Sequence, residues 1–225
     1  MTRPGPARIV FDLDGTLVDS APDIQHIANL LLAREGCAPL SAEETRSFIG
    51  HGAAVFIAQL CDARDLPKSR QPQLLTDFVV RYNTAHGRTT PYPGVRKAIL
   101  RFHEAGHRLG ICTNKPLGPA RSLLRYLEFD RFFDAVVGGD SLAVRKPAPA
   151  PLNAAFNALG QGPMIYVGDS EVDAETAARA GVPFLLFTGG YRKGPVEAMP
   201  HHAAFDDFGD LPQLVAALLR GRAAS

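Results

Sequence analysis

The sequence has few cysteines, no excess of either charge and no long apolar run. Its three cysteines, Cys37, Cys61 and Cys112, include no C-x-x-C pair, so their spacing fits neither a disulfide framework nor a zinc site. The 24 lysine and arginine residues nearly balance the 23 aspartate and glutamate residues, and the formal net charge is +1. This balance argues against the broad basic surface that nucleic-acid-binding proteins carry.

Signals for export or membrane insertion are missing as well. No stretch approaches the roughly 20 apolar residues of a membrane-spanning helix. The N-terminal segment MTRPGPARIV lacks the apolar core of a signal peptide. We therefore expect a cytoplasmic protein with small-molecule partners and with no nucleic-acid or membrane partner. The apolar fraction of 46% can fill a sizeable core, and 225 residues correspond to one large domain or to a domain with an insertion.

The stretch from residue 9 to residue 20, IVFDLDGTLVDS, combines an apolar run with two closely spaced carboxylates. If the apolar run forms a strand, alternation sends the side chains of Asp12 and Asp14 to the same side beyond its end. Gly15 permits the tight turn that follows, and Thr16 adds a hydroxyl group beside that turn. Two carboxylates this close repel each other, so both stay ionised only if a cation lies nearby. A D-x-D pair alone is more often a solvated acidic turn.

The next part of the chain carries helical signals and no strand signal. Ser20 is positioned to cap a first helix, and Ser41 with Glu44 forms a capping box for a second. Farther along, short apolar runs alternate with helical segments. We therefore predict a core domain of residues 1–19 and 89–225, and an all-helical cap domain of residues 20–88.

The alternation predicts an α/β fold with a Rossmann-like parallel sheet and helices on both faces. Right-handed crossovers place the carboxyl ends of all strands along one edge, which is where open α/β sheets bind ligands. The first strand belongs to this sheet, so the helical insertion leaves and returns beside Asp12 and Asp14. We therefore expect the cap to act as a lid, with hinges near Ser20 and Arg88.

Three further groups of polar residues follow predicted strands. Thr113 and Asn114 end the run LGICTN, where a hydroxyl, an amide and backbone N–H groups can meet an anion. Lys146 precedes a proline that can hold its ammonium group in a cleft, and the neighbouring Arg145 is the weaker candidate. The last group lies in GDSEVD and consists of Asp169, Ser170 and Asp173. Each of the three groups alone also has an ordinary explanation: a turn, a solvated charge and an acidic helix start, respectively.

Together these motifs resemble those of the haloacid dehalogenase-like hydrolases. DLDGTLVDS matches the first motif of that family, DxDGTLxDS. Thr113 stands at the position of the second motif, Lys146 at that of the third, and GDSEVD matches the fourth, GDSxxD. The resemblance extends from residue 9 to about residue 190, and the helical insertion has the position of the C1 caps of the family. It implies the same α/β core with an inserted cap.

The resemblance also implies a mechanism. Asp12 would attack phosphorus and form an aspartyl-phosphate, while Asp14 would protonate the leaving oxygen and later deprotonate water. Asp12, Asp169 and the backbone carbonyl of Asp14 would bind Mg²⁺, which prefers oxygen ligands. The remaining implied roles are phosphoryl binding by Thr113, Asn114 and Lys146, and support of the metal site by Asp173 and Ser170.

Substrate choice is expected to lie with the cap. Arg46 and His51, between two predicted cap helices, would contact an anionic or hydroxylated leaving group, although both are equally well explained as surface residues. The motif set, the cap type and the downstream segment TGGYRKG most resemble bacterial phosphoglycolate phosphatases. That resemblance implies hydrolysis of 2-phosphoglycolate to glycolate and phosphate.

Several alternatives stay open at this point. A β-phosphoglucomutase-type mutase would divert the phospho-aspartate to a sugar hydroxyl, and a pyrophosphatase or another sugar-phosphate phosphatase would use the same core. A catalytically idle interaction module with this fold is a further alternative, although such a module has no chemical need for the full set of polar residues. The sequence does not separate a monomer from a homodimer.

Overall fold

The computed structural model describes residues 6–223. Residues 1–5 and 224–225, which the sequence assigns to the core domain, lie outside this range. No helix of the described chain is both long and apolar enough to cross a membrane.

Eight short strands occur in the described residues. In chain order they are β1 (Arg8–Phe11), β2 (Val18–Asp19), β3 (Thr90–Pro91), β4 (Arg108–Cys112), β5 (Ala135–Val137), β6 (Met164–Gly168), β7 (Phe184–Phe187) and β8 (Ala203–Phe205). Six of them form one parallel sheet in the order β5-β4-β1-β6-β7-β8, while β2 and β3 form a separate antiparallel pair. The apolar runs of the sequence predict five of the six sheet strands and miss β8, an edge strand with one buried residue.

Nine α-helices surround or cap this sheet within the described range. They are α1 (Ala21–Arg34), α2 (Ala42–Phe48), α3 (Ala53–Asp62), α4 (Gln71–Tyr82), α5 (Val95–Glu104), α6 (Leu117–Tyr126), α7 (Ala150–Ala158), α8 (Glu171–Ala180) and α9 (Leu211–Ala223). Three short 3₁₀ helices lie at Lys68–Arg70, Asp130–Phe132 and Val196–Ala198.

Both faces of the sheet are buried, as the apolar strands predict. Along β1, Ile9 and Phe11 belong to the hydrophobic cluster on one face, which also contains residues of α5, α6 and α9. Val10 belongs to the cluster on the other face, with residues of α7 and α8. A strand that is covered on both sides needs apolar residues at every position. The predicted α/β class, a parallel sheet with helices on both faces, is confirmed.

Helices α1 to α4 have a hydrophobic cluster of their own. Phe56, Phe78 and Tyr82 form a continuous aromatic stack there, with ring centroids 5.3 and 5.2 Å apart in successive pairs. No strand interrupts this part of the described chain. The antiparallel pair Asp19 and Thr90 joins the segments that lead into and out of these helices. The exact domain limits at residues 20 and 88 stay a prediction.

The structure confirms one predicted helix cap and corrects another. At α2 the Ser41 hydroxyl accepts from the Glu44 N–H at 3.0 Å, and the Glu44 carboxylate accepts from the Ser41 N–H at 2.7 Å. At α1 the prediction was wrong, because the Ser20 side chain makes no capping bond. The Ala21 N–H instead donates to the Tyr191 hydroxyl at 3.0 Å, an acceptor 170 residues away in sequence.

Candidate active site

The carboxyl ends of three neighbouring strands carry the predicted site residues. Asp12 follows β1, Thr113 follows β4 and Asp169 follows β6. All three are buried. Asp12, Asp169 and Asp173 each place a carboxylate oxygen within 4.8 Å of the others. The predicted convergence of distant acidic residues at this edge of the sheet is therefore present in the geometry.

Asp12 is a carboxylate with little access to water. Only 8% of the residue is exposed, and its burial raises its pKa to about 7, although the nearby Lys146 opposes this rise. The Lys146 Nζ lies 3.0 Å from Asp12 Oδ1. A buried carboxylate of this kind is ionised readily only when positive charge is close to it.

Lys146 supplies such a positive charge. Its ammonium donates to the Asp173 carboxylate at 2.7 Å and to the Tyr166 hydroxyl at 3.0 Å. Burial by itself lowers the pKa of Lys146, but the charges of Asp12 and Asp173 outweigh burial and raise the pKa above its usual value. Lys146 is therefore a fixed cation beside Asp12 across the physiological pH range.

Asp173 holds this arrangement in place with both of its oxygens. One oxygen accepts from Lys146 and from the Tyr166 hydroxyl, each at 2.7 Å. The other accepts from the Ser170 hydroxyl at 2.7 Å and from the N–H groups of Asp169 and Ser170 at 3.2 Å. Ser170 caps α8 in return, so the two residues form a capping box. Support of a metal site by Asp173 and Ser170 stays a prediction.

Asp169 is held by two donors and approached closely by backbone. Its Oδ1 accepts from the Thr16 hydroxyl at 2.6 Å, and its Oδ2 accepts from the Tyr191 N–H at 2.6 Å. A Cβ atom at Gly190 would lie 2.3 Å from Asp169 Oδ2, and one at Gly15 would lie 2.5 Å from it. Burial, followed by the charges of the neighbouring carboxylates, raises the pKa of Asp169 well above its usual value. The Asp169 carboxyl group is therefore buried and tightly packed against the backbone of Gly15 and Gly190.

The acidic cluster fits a hard divalent cation. Its donors are all carboxylate oxygens, and burial disfavours their charged forms in the absence of positive charge. The buried Asp12 Oδ1 atom makes no hydrogen bond of normal geometry and has the Lys146 ammonium 3.0 Å away as its charged neighbour. Each oxygen of Asp173 accepts two or more hydrogen bonds, whereas each oxygen of Asp169 accepts one, so Asp12 and Asp169 are the side chains best placed to bind an ion.

The Asp14 side chain is not part of the acidic cluster and pairs with Lys115. The Lys115 Nζ lies 3.1 Å from Asp14 Oδ1 and 3.4 Å from Oδ2. It also lies 3.5 Å from the ring centroid of Tyr82, a residue of α4, and the Tyr82 hydroxyl is 3.5 Å from Asp14 Oδ2. Burial lowers the pKa of Lys115, and the charge of Asp14 opposes this effect. The sequence predicted Thr113 and Asn114 as site residues but not Lys115, which directly follows them.

The amide of Asn114 connects three loops. Its Nδ2 donates to the carbonyl oxygens of Gly50 and Lys146, both at 3.0 Å, and its Oδ1 accepts from the Lys146 N–H at 3.0 Å. The side chain thus orders the loop that carries Lys146 and ties it to the loop between α2 and α3. Thr113 is buried beside it, and its hydroxyl accepts from the Lys115 N–H at 3.2 Å. Contact of Thr113 and Asn114 with a phosphoryl group stays a prediction.

The two predicted cap residues differ in their positions. His51 lines a cavity beside Asp169 and Glu171, and burial lowers its pKa. Arg46 does not line this cavity, nor does it line a second cavity that lies between the cap helices and the edge of the sheet. Its side chain is 53% exposed, and its guanidinium lies 3.7 Å from the Asp19 carboxylate. Substrate contact by either residue stays a prediction, and the geometry favours His51 over Arg46.

Comparison of the chain with known proteins identifies its family. The family model for haloacid dehalogenase-like hydrolases matches residues 9–187. The chain belongs to this family. It is similar to phosphoglycolate phosphatase of Cereibacter sphaeroides strain ATCC 17029, with 48% identity over 94% of the chain and 98% of the relative. It is also similar to phosphoglycolate phosphatase of Rhodobacter capsulatus, with 44% identity over 92% of the chain and 95% of the relative.

A solved structure has the same architecture. The crystal structure of a predicted phosphoglycolate phosphatase from Haemophilus somnus 129pt superimposes with a TM-score of 0.87 and 29% identity. The match covers 96% of this chain and 99% of that one. The resemblance inferred from the sequence motifs is therefore confirmed at the level of family and fold.

In this haloacid dehalogenase-like hydrolase, the site includes residues that the sequence motifs do not contain. The motifs contain Asp12, Asp169 and Lys146, which the fold brings together. They gave no function to Tyr191, whose backbone holds Asp169. The tripeptide TNK at the end of β4 was the signal that could have indicated Lys115, because its lysine directly follows two residues already placed at the site.

Proposed function

We propose that this haloacid dehalogenase-like hydrolase is a Mg²⁺-dependent phosphatase that converts 2-phosphoglycolate to glycolate and phosphate. The environment of Asp12 carries the proposal, since it combines burial, a cation 3.0 Å away and two neighbouring carboxylates. The relatives that cover nearly the whole chain at 44% and 48% identity support the choice of substrate, because both are phosphoglycolate phosphatases by name.

A cation is needed because an anionic carboxylate must approach an anionic phosphate. Two unit charges about 4 Å apart repel by roughly 4 kcal/mol at an effective dielectric constant of about 20. Asp12, Asp169 and the backbone carbonyl of Asp14 would hold Mg²⁺. When bound, the ion would offset this repulsion and draw charge from the phosphoryl oxygens. Lys146 adds a second positive charge from within the protein.

The protein's own groups carry the two chemical steps. A carboxylate oxygen of Asp12 forms a bond to phosphorus while the bond from phosphorus to the ester oxygen breaks, and Asp14 gives its proton to that oxygen. Water then attacks phosphorus, the bond to Asp12 breaks, and Asp14 takes the proton of the water. The Thr113 hydroxyl and the Lys146 ammonium would hold the phosphoryl oxygens during both steps.

The test is a comparison of phosphate esters with the purified protein. We expect kcat/KM for 2-phosphoglycolate to exceed the values for β-glucose 1-phosphate and pyrophosphate by about tenfold or more. Activity should disappear when Mg²⁺ is removed with a chelator and return when it is added back. Formation of a sugar bisphosphate from the sugar ester would instead indicate a mutase. Failure to release phosphate even from 4-nitrophenyl phosphate would indicate an idle interaction module.

A further inference from the structure

The cavity between the cap helices and the sheet edge contains a buried lysine to which the proposed reaction assigns no role. On the side of the sheet it is lined by Asp12, Asp14, Thr113 and Lys115. Among the described residues that line it, Lys115 is the only one with a positive charge. We call this space the cap cavity. Its cap side is apolar and consists mainly of Ile24, Ile49, Phe56, Phe78 and Tyr82.

Lys115 is built into the wall of the cap cavity. Only 1% of its side chain is exposed, compared with 12% for its partner Asp14. The Tyr82 ring lies 3.5 Å from the ammonium and stabilises it through a cation–π contact. A buried ammonium group is costly unless it is paired, and replacing its partner with another anion preserves that pairing. The site therefore offers an anion a fixed position between the apolar cap side of the cavity and the catalytic carboxylates.

We propose that Lys115 binds the carboxylate of the substrate's leaving group and thereby selects esters that carry an acid next to the ester oxygen. The inference rests on the proposed function, in which Asp14 contacts the ester oxygen. One methylene group separates that oxygen from the carboxylate in 2-phosphoglycolate. A leaving group with its ester oxygen at Asp14 thus places its acid beside the Lys115 ammonium, which lies 3.1 Å from Asp14 Oδ1.

The exchange of partners also affects the chemical step. The Lys115 ammonium donates to both oxygens of Asp14. A substrate carboxylate would take over these hydrogen bonds and leave the Asp14 side chain free to contact the ester oxygen. An ester without a carboxylate leaves Asp14 paired with Lys115. Lys115 should therefore discriminate between substrates in kcat as well as in KM.

The test compares three esters in Lys115→Met and in a matched control. The control is Lys68→Met, which removes an exposed lysine of the cap. The esters are 2-phosphoglycolate, ethyl phosphate without the carboxylate, and 4-nitrophenyl phosphate, whose leaving group departs without a proton. In Lys115→Met, we expect kcat/KM for 2-phosphoglycolate to fall roughly 100-fold, while 4-nitrophenyl phosphate changes by no more than about threefold. Lys68→Met should match the wild type with all three esters.

The ratio of kcat/KM for 2-phosphoglycolate to that for ethyl phosphate isolates the specificity. The wild type should show a large ratio, Lys115→Met a ratio near one, and Lys115→Arg an intermediate ratio because it retains the charge. Equal losses with all three esters in Lys115→Met would overturn the proposal and assign Lys115 to the common chemistry or to stability. A large ratio that persists in Lys115→Met would also overturn it.

Failure of the proposed function would look different. A wild type that cleaves 4-nitrophenyl phosphate but prefers ethyl phosphate over 2-phosphoglycolate would refute both the substrate and the role of Lys115, and leave a phosphatase. A wild type without activity on any ester would refute the phosphatase itself.

Discussion

The Tyr191 hydroxyl donates to the Asp19 carboxylate at 2.6 Å, although 172 residues separate the two in sequence. The same oxygen accepts from the N–H groups of Ser20 and Ala21 at 2.8 and 3.0 Å. The backbone N–H of Tyr191 donates to Asp169. One residue therefore connects the start of the cap with a carboxylate of the acidic cluster.

Replacing Tyr191 with phenylalanine tests this connection. The change leaves the backbone contact to Asp169 intact but removes the acceptor of the buried Ser20 N–H and leaves the Ala21 N–H with only the Asp19 carboxylate at 3.3 Å. We expect the free energy of unfolding to fall by about 1–3 kcal/mol, because unpaired buried donors cost this much. Urea denaturation measures the change, and Tyr126→Phe, at a tyrosine that is 58% exposed, serves as control. Equal stability of Tyr191→Phe and the control would show that these hydrogen bonds contribute little.

Asp12→Asn tests the nucleophile. The amide has nearly the same size as the carboxylate but cannot form an aspartyl-phosphate, so kcat should fall by about 10⁴-fold or more. Binding of Mg²⁺, measured by calorimetry, should persist in weakened form because Asp169 remains. Asp206→Asn, at an exposed aspartate, controls for the loss of one charge. Substantial activity in Asp12→Asn would remove Asp12 as the nucleophile.

Gly190→Ala tests the close packing around Asp169. A Cβ atom at residue 190 would lie 2.3 Å from both Asp169 Oδ2 and the Gly15 carbonyl oxygen, so the carboxylate must move. We expect a loss of Mg²⁺ affinity and of activity by roughly 100-fold, since such ligands need support at fixed positions. The matched control is Gly87→Ala, where a Cβ atom meets nothing within 4 Å. Normal activity of Gly190→Ala would mean that this loop moves aside without consequence.

Glu44→Gln tests a pH-dependent contribution of the cap to stability. The hydrogen bond from Arg64, with that from the Ser41 N–H, lowers the pKa of Glu44 to about 2. A lowered pKa in the folded state means that the stabilisation is present above the ordinary glutamate pKa and is lost as the pH falls toward 2. The Tm difference between wild type and Glu44→Gln should therefore be largest near pH 7 and shrink below pH ~4.5. A Tm difference that stays constant across this pH range would contradict the prediction. The variant Glu43→Gln is the control, because it removes the same charge from a neighbouring residue.

The sequence by itself determined most of the architecture and the motif positions at the sheet edge. The apolar runs IVF and MIYV, ended by acids and glycine, indicate buried strands whose ends carry Asp12 and Asp169, because a continuous apolar run is a local property of the sequence. The Ser41 and Glu44 capping box was predictable for the same reason, since its partners are three residues apart. The edge strand β8, AAF, has only one buried residue and lacks the apolar β-branched residues that make the equally short β5, AVV, recognisable.

Only the tertiary structure decided which side chains pair around these motifs. Lys115 and Asp14 are 101 residues apart in sequence, and Thr16 and Asp169 are 153 apart. No periodicity links such positions, because the partners meet only when strand order and cap placement are set. The amide of Asn114 illustrates this limit: the sequence placed it near an anion, whereas the fold engages it with Gly50 and Lys146. Burial, which raises the pKa of Asp12 to about 7, is likewise a property of the packed molecule and not of the segment that carries the residue.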